Sequence, residues 1–260
     1  DVGHRLMTAN LSDIAAMGGT PKQIVLSVAA PQEIDTDILD EIYRGIKAQC
    51  QRYKLNILGG DTVRTEGPMV WTVTIIGEVP KGTAVMRSGA QVGDVVGVTN
   101  YVGYAATGLG ALSYDLDGYD MTKIGHQRPD PQIELGEQLR QLGVHSMNDI
   151  SDGLGSELNE IASASNVSII VEEEAIPLHE ETYALANHLQ TKPVDYALYG
   201  GEDFQLVFTA PKSLVPKLEQ LAGITLIGEV VSVSPKVQMV TPDRTIKTIE
   251  AKGYNHFHEA

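Results

Sequence analysis

The chain has 260 residues, of which 42% are hydrophobic and 20% are charged, a composition typical of a globular protein with one sizeable domain or two smaller ones. It contains no run of roughly 20 apolar residues, so we expect no membrane span. The formal net charge of −15 argues against nucleic acids and anionic membranes as main partners, because like charges repel. The single cysteine, Cys50, excludes internal disulfides and favours a reducing, cytoplasmic location.

The first third of the chain predicts two helices and three strands. Apolar residues recur at helical spacing from Leu6 to Met17, and Gly18-Gly19 would end that helix. The elements expected next are a strand at Ile24 to Ala29, a helix capped by Asp35 or Thr36 and running to Cys50, and strands at Leu55 to Leu58 and Val70 to Ile76. The glycine-rich stretch from Gly77 to Gly93 then predicts two domains, at residues 1–82 and 83–260.

The rest of the chain mixes strands and helices without a strict βαβ alternation, which favours an α+β fold of two domains. The predicted strands are Val95 to Thr99, Val167 to Val171, Leu206 to Thr209, Leu226 to Val231 and Val237 to Val240. The predicted helices are Gly103 to Leu112, Ile133 to Leu142, Glu181 to Leu189, Leu214 to Leu221, and one that begins near Gly153 with Ser151 or Asp152 as its N-cap.

The motif at that last helix start places two carboxylates close together. Asp149 and Asp152 stand three residues apart within Asn148 to Leu154, just before the helical spacing begins. Helix capping explains one acidic residue, but two close carboxylates repel each other unless a cation lies between them. The motif therefore favours a metal site over a simple helix cap.

Similar acidic motifs occur at the edges of other apolar elements. Asp13 follows Ser12, Asp61 follows Gly59-Gly60, and Glu202 follows Gly200-Gly201. Glycine lets the backbone approach a ligand closely, and carboxylates are hard oxygen ligands suited to magnesium or calcium. Asp13 falls in the last turns of a predicted helix, where the helix dipole disfavours a negative charge by about 0.3–1 kcal/mol. Solvent exposure explains Asp13 equally well by itself, but beside the other motifs a cation ligand is the better interpretation.

Common alternatives are absent from the sequence. It has neither a Gly-x-x-x-x-Gly-Lys-Ser/Thr loop nor the dinucleotide fingerprint, so a nucleotide would be held through metal bridges and local backbone. It also lacks a His-Glu-x-x-His zinc motif and a serine in a nucleophile-elbow context.

Together with Gly253-Tyr254-Asn255-His256-Phe257, these acidic motifs resemble the thiamine-monophosphate kinase family in order and spacing over essentially the whole chain. The resemblance implies two domains of the aminoimidazole ribonucleotide synthetase-like type, with mixed sheets packed against helices. It also implies a homodimer joined through the N-terminal domains. Val70 to Ile76 gives modest support, because both its faces are largely apolar or β-branched and need cover.

The same resemblance implies an ATP-dependent, magnesium-assisted transfer of a phosphoryl group directly to thiamine monophosphate, which yields thiamine diphosphate. The implied magnesium ligands are Asp13, Asp61, Asp149 and Asp152, with Asp61 and Asp149 essential for catalysis. The implied ATP contacts are Tyr43, Gly60, Asp61, Arg87 and Ser151. The implied contacts with thiamine phosphate are Glu202 and Tyr254, because a carboxylate and an aromatic face suit a cationic thiazolium.

The family's first acidic motif is expected before Asp1, so we expect that residues which precede this chain complete the metal site. Two alternatives stay open. One is another ATP-dependent synthetase of the same superfamily, and the other is a magnesium-binding dimer that is inactive without its N-terminal segment.

Overall fold

The computed structural model of the protein describes residues 1–252, which form two mixed sheets packed with helices. In chain order, the helices are α1 (Val2–Ala16), α2 (Thr36–Tyr53), α3 (Tyr104–Ser113), α4 (Asp120–Gln127), α5 (Ile133–Leu142), α6 (Leu154–Ser165), α7 (Glu180–Leu189), α8 (Pro193–Tyr199) and α9 (Val215–Leu218). The strands are β1 (Thr20–Pro31), β2 (Asn56–Thr65), β3 (Val70–Glu78), β4 (Val95–Thr99), β5 (Ser146–Asp149), β6 (Ser168–Glu172), β7 (Leu206–Ala210), β8 (Ile224–Ser232), β9 (Lys236–Val240) and β10 (Ile246–Thr248). The predicted α+β fold with mixed sheets is confirmed.

The first sheet has three strands in the order β2-β1-β3, with β1 parallel to β2 and antiparallel to β3. Its helix-facing side buries Ile24, Leu26 and Val28 of β1. Helix α2 begins where the Asp35 side chain accepts a hydrogen bond from the Asp37 N–H (3.0 Å), and it buries Cys50, as predicted. This sheet presents its other side to solvent.

The second sheet has seven strands in the order β10-β9-β6-β8-β4-β7-β5. Strands β4 and β7 are buried along their whole length, because apolar residues cover both faces of the sheet. Helix α1 packs against α5 and β5, and its Met7 and Leu11 share one hydrophobic core with Met147 and Phe208. Helix α1 is therefore the element that brings the first half of the chain to the edge of the second sheet.

Several boundaries differ from the sequence-based expectation. Strand β2 does not end at Leu58 but continues to Thr65, because the Gly59-Gly60 backbone pairs with β1. The N-cap of α6 is Gly153, not Ser151 or Asp152. Glycine suits this position, because φ is +100° there and a Cβ atom would come within 2.7 Å of the Leu198 carbonyl oxygen. Helix α9 is one turn long and ends at Leu218, short of Leu221.

Elements α4, α8, β5 and β10 were not predicted, because each is short and a short segment gives little periodic signal. The proposed boundary at residues 82 and 83 falls in the connection between β3 and β4 and stays a prediction. Among residues 1–252, no helix is long and apolar enough to cross a membrane.

Candidate active site

A cavity of about 380 Å³ lies where α1 meets the end of β5. Asp13 enters it from α1, Arg87 from the connection between β3 and β4, and Asn148 and Asp149 from β5. Its remaining lining is Ala16, Met17, Val85, Met86, Ser88, Met147 and Ala164. The fold thus brings together Asp13, Arg87 and Asp149, three of the residues predicted from the sequence.

Asp149 is the buried acid of this cavity, with only 5% of its surface exposed. The Ser12 hydroxyl donates a hydrogen bond of 2.7 Å to its Oδ2 atom. Burial raises the pKa of Asp149 to about 6; the Ser12 hydrogen bond opposes this rise and the nearby Asp13 carboxylate adds to it. Asp13 is exposed at the cavity wall, yet partial desolvation there raises its pKa, while Arg87 opposes that rise. Two coupled carboxylates in a half-closed cavity form an environment that favours a cation.

Arg87 is held beside the cavity by Asn148 and by an acidic residue of α6. Its Nε atom donates to Asn148 Oδ1 (3.0 Å), and its Nη1 atom lies 3.0 Å from Glu160 Oε2. The Asn148 amide donates in turn to Glu157 and to Glu160. The guanidinium is therefore oriented by neighbours on two elements, while more than half of its side chain stays exposed.

The loop after β5 carries Ser151 and Asp152, and a buried acid braces it. The Asp152 N–H donates to Glu157 Oε1 at 3.3 Å, and the Ser151 hydroxyl donates to the same atom at 3.5 Å. Burial raises the pKa of Glu157 to about 8, and the charge of Glu160 adds to the rise. Sequence reasoning missed Glu157, because an acid in the first turn of a helix usually lies on the surface.

Glu202 adjoins this loop. Its N–H donates to the Ser151 carbonyl at 2.7 Å, and its carboxylate pairs with Arg5 of α1. Its motif neighbour Asp203 is buried and plays a different part. The Asp203 carboxylate accepts hydrogen bonds from the backbone N–H groups of Gly103 (2.5 Å) and Ala105 (2.8 Å) at the start of α3. One motif thus supplies an exposed acid and a structural one.

Three predicted residues from the first sheet and helix α2 do not line the cavity. Tyr43 packs edge-on against Trp71, with ring centroids 5.2 Å apart. Asp61 is exposed in β2, and its Oδ1 atom accepts a hydrogen bond from the Thr62 N–H. Gly60 has a structural reason to be glycine, because a Cβ atom there would come within 1.7 Å of the Leu26 carbonyl oxygen.

Tyr254 lies outside the described residues. Among residues 1–252, no three histidine, cysteine, aspartate or glutamate side chains are arranged to hold a metal ion. Asp13 and Asp149 share the cavity, whereas Asp61 and Asp152 do not line it.

Two family models match this chain: the N-terminal domain of AIR synthase related proteins over residues 1–79, and the C-terminal domain over residues 91–239. The chain is therefore an AIR synthase related protein with both domains of that class. It is 38% identical to the thiamine-monophosphate kinase of Bacillus subtilis (strain 168), over 99% of this chain and 81% of that protein. It belongs to the thiamine-monophosphate kinase family, and it is an enzyme of that kinase class.

Solved structures support this assignment. The thiamine-monophosphate kinase of Stenotrophomonas maltophilia K279a superposes with a TM-score of 0.85 and 31% identity, over 92% of this chain and 78% of that chain. AaThiL complexed with AMPPCP and TMP superposes with a TM-score of 0.86 and 32% identity, over 98% of this chain and 80% of that chain.

Proposed function

We propose that the protein transfers the terminal phosphoryl group of ATP directly to the phosphate of thiamine monophosphate, and so produces thiamine diphosphate and ADP. The observation that carries this proposal is the cavity in which Asp13 and Asp149 face Arg87. The AaThiL relative, complexed with AMPPCP and TMP, supports both substrates. In-line transfer needs positioning and charge neutralisation, and it needs no protein nucleophile.

The carboxylate pair fits magnesium. Mg²⁺ commonly takes one or two protein carboxylates and completes its coordination with water and substrate phosphates, so a pair is sufficient. We assign Asp13 and Asp149 as ligands, with Asp152 and Asp61 as further ligands around the bound nucleotide. Bound magnesium would neutralise phosphate charge during the transfer.

Arg87 supplies a second positive charge from the protein itself. Asn148 and Glu160 hold its guanidinium beside the cavity, so it can meet phosphate oxygens without reorganising. We assign Ser151, Tyr43 and Gly60 to the remaining contacts with ATP, and Glu202 and Tyr254 to the thiamine moiety. The lone buried Cys50 is consistent with a reducing compartment, and we propose that the reaction takes place in the cytoplasm.

Product analysis on the full-length gene product tests this function. The protein would be incubated with ATP, Mg²⁺ and thiamine monophosphate, and ADP and thiamine diphosphate would be quantified by chromatography. We expect the two products in a one-to-one ratio, as direct transfer requires. A parallel reaction with aminoimidazole precursors should yield nothing. Turnover of those precursors, with thiamine monophosphate untouched, would instead assign the protein to a synthetase of the superfamily.

Truncation of Tyr254 to alanine should weaken binding of the acceptor. An aromatic face against a cationic thiazolium contributes about 0.5–2 kcal/mol, so we expect the KM for thiamine monophosphate to rise roughly 2- to 30-fold. The KM for ATP should stay nearly unchanged. Tyr114→Ala is a matched control, since Tyr114 is an exposed tyrosine at the end of α3. Loss of ATP affinity with unchanged acceptor affinity would move Tyr254 to the nucleotide site.

We also propose that two copies associate through the open face of the first sheet. Strand alternation and register place Val63, Val70 and Ile76 on this face, and about half of each side chain is exposed. Asp61 lies on the same face, two residues from Val63, so a partner copy would cover it. The face that carries Trp71, Val73 and Ile75 packs on the core instead. Apolar strands of this kind are commonly covered by a partner.

Sedimentation of the full-length protein at micromolar concentration should give a dimer. Val63→Asp should weaken dimerisation by at least about 10-fold, because burying an unpaired charge is unfavourable. Val233→Asp, at an exposed site beyond β8, should leave the dimer intact. A monomeric wild-type protein would contradict the proposal.

A further inference from the structure

We infer that Arg5 is a positioning residue for the acceptor site: from α1 it fixes the orientation of the Glu202 carboxylate. The inference rests on the proposed function, because it concerns how Glu202 receives the thiamine end of the acceptor. None of the sequence motifs pointed to Arg5, which stands outside all of them.

Arg5 makes contacts at both ends of its guanidinium. Its Nη2 atom pairs with Glu202 Oε2, and its Nη1 atom donates to the His126 carbonyl (3.3 Å) and lies 2.9 Å from His126 Nε2. The arginine side chain is only 29% exposed. It is therefore held by α4 on one side while it holds Glu202 on the other.

His126 is a suitable acceptor for Arg5. Burial and the neighbouring Arg5 lower the pKa of His126, so the imidazole is neutral near pH 7 and its Nε2 atom can accept a hydrogen bond from the guanidinium. The backbone of Ala105 also hydrogen-bonds this ring. The Ala105 N–H donates to Asp203, the residue directly after Glu202. These contacts thus form a closed network that runs from Glu202 through Arg5, His126 and Ala105 to Asp203.

This closed network holds Glu202 in an unfavourable backbone conformation. Its φ of +68° lies in the left-handed region, which residues other than glycine rarely adopt. The Ser151 carbonyl holds its N–H, and Arg5 holds its side chain. The Glu202 side chain is still 45% exposed, so it can receive a ligand while Arg5 fixes the direction of its carboxylate.

Helix α1 also sets the distance between the two ends of the site. Ser12, which contacts Asp149, follows Arg5 by seven residues and therefore lies on the same face, about 10.5 Å further along the helix axis. One rigid face thus supports the phosphate end at Asp149 and the cationic end at Glu202.

The test compares steady-state kinetics of Arg5→Met, Arg5→Lys and Arg52→Met in the full-length protein. Arg5→Met should raise the KM for thiamine monophosphate about 10-fold and leave the KM for ATP within about 2-fold. The reason is that the charge-assisted contact between Arg5 and Glu202 is lost, and only the acceptor site uses Glu202. Arg5→Lys should recover most of the affinity. Arg52 is the matched control, because it pairs with Asp130 (2.6 Å) and also joins the first half of the chain to the second. Its substitution should change neither KM.

A double-mutant cycle separates positioning from general structural support. If Arg5 acts through Glu202, adding Arg5→Met to Glu202→Gln should raise the acceptor KM no further. His126→Ala, which removes the imidazole contacts with Arg5 and Ala105 but leaves the Arg5–Glu202 pair in place, should give a smaller increase of about 3-fold, and it serves as the test should Arg5→Met fail to fold. An unchanged acceptor KM in Arg5→Met or in His126→Ala, or additive effects in the cycle, would overturn the inference. Absence of thiamine diphosphate formation by the wild type would instead overturn the proposed function.

Discussion

Replacement of Asp149 by asparagine is expected to lower kcat by roughly 100- to 1,000-fold while the protein stays folded. The substitution keeps the shape of the side chain and an oxygen that can accept the Ser12 hydrogen bond, but it removes the charge that faces the phosphates. Loss of a single preorganised electrostatic contact in an active site has effects of this size. The measurement is turnover of thiamine monophosphate at limiting magnesium. Turnover equal to that of the wild type would remove Asp149 from the ligand set.

Stability measurements show whether the fold survives. The folded-state pKa of Asp149 is about 6, above the usual value for an aspartate, so its ionised form is disfavoured in the metal-free fold. The stability that protonated Asp149 provides is present at low pH and is lost as the pH rises through about 6. Without metal, this residue should therefore make the wild type more stable at pH 5 than at pH 7, and Asp149→Asn should remove that contribution. Urea unfolding at pH 5 and pH 7 in the presence of a chelator measures this difference in the wild type and in Asp149→Asn.

Asp61→Asn is the companion substitution, and it is expected to abolish most turnover as well. Asp61 is exposed on the open face of the first sheet rather than in the cavity. Asp61 can therefore contribute to turnover only if ATP and a partner copy bind at that face. Normal turnover in Asp61→Asn would exclude Asp61 alone and leave the assignment of Asp149 standing.

Asp203→Ala is expected to destabilise the protein by about 2–5 kcal/mol, because it leaves the buried N–H groups of Gly103 and Ala105 without an acceptor. Glu202→Gln, one residue earlier, should leave the free energy of unfolding almost unchanged and raise the KM for thiamine monophosphate. Denaturant unfolding with the activity assay separates the two effects. An Asp203→Ala variant as stable as the wild type would show that another group satisfies the start of α3.

Elements with a strong local pattern were predictable from the sequence. Helix α5 and strand β4 were predicted with their observed ends, and Asp35, the cap of α2, was one of the two residues predicted for that position. The strand predicted for β2 ended at Leu58, because Gly59-Gly60 resembles a turn locally. In the structure these glycines are extended, because their backbone pairs with β1. Pairing of this kind is a long-range property that no local spacing encodes.

The site was predictable only in part, for the same reason. Asp13, Arg87 and Asp149 were identified through motifs and a family resemblance, and the fold places them in one cavity. Glu157 and Arg5 were missed, because an acid in a first helical turn and an arginine within a helix are ordinary surface residues in most sequences. Their importance comes from partners on other elements: Asn148 of β5, nine residues before Glu157, and Glu202, far along the chain from Arg5.

The shared core around α1 limits how this enzyme can move. Met7 and Leu11 are fully buried in the same core as Met147 and Phe208, so α1 cannot swing away from the second sheet without opening that core to water. The two halves of the chain therefore cannot hinge about α1. The spacing between Asp149 and Glu202, the two residues that α1 supports, is therefore fixed before any ligand arrives.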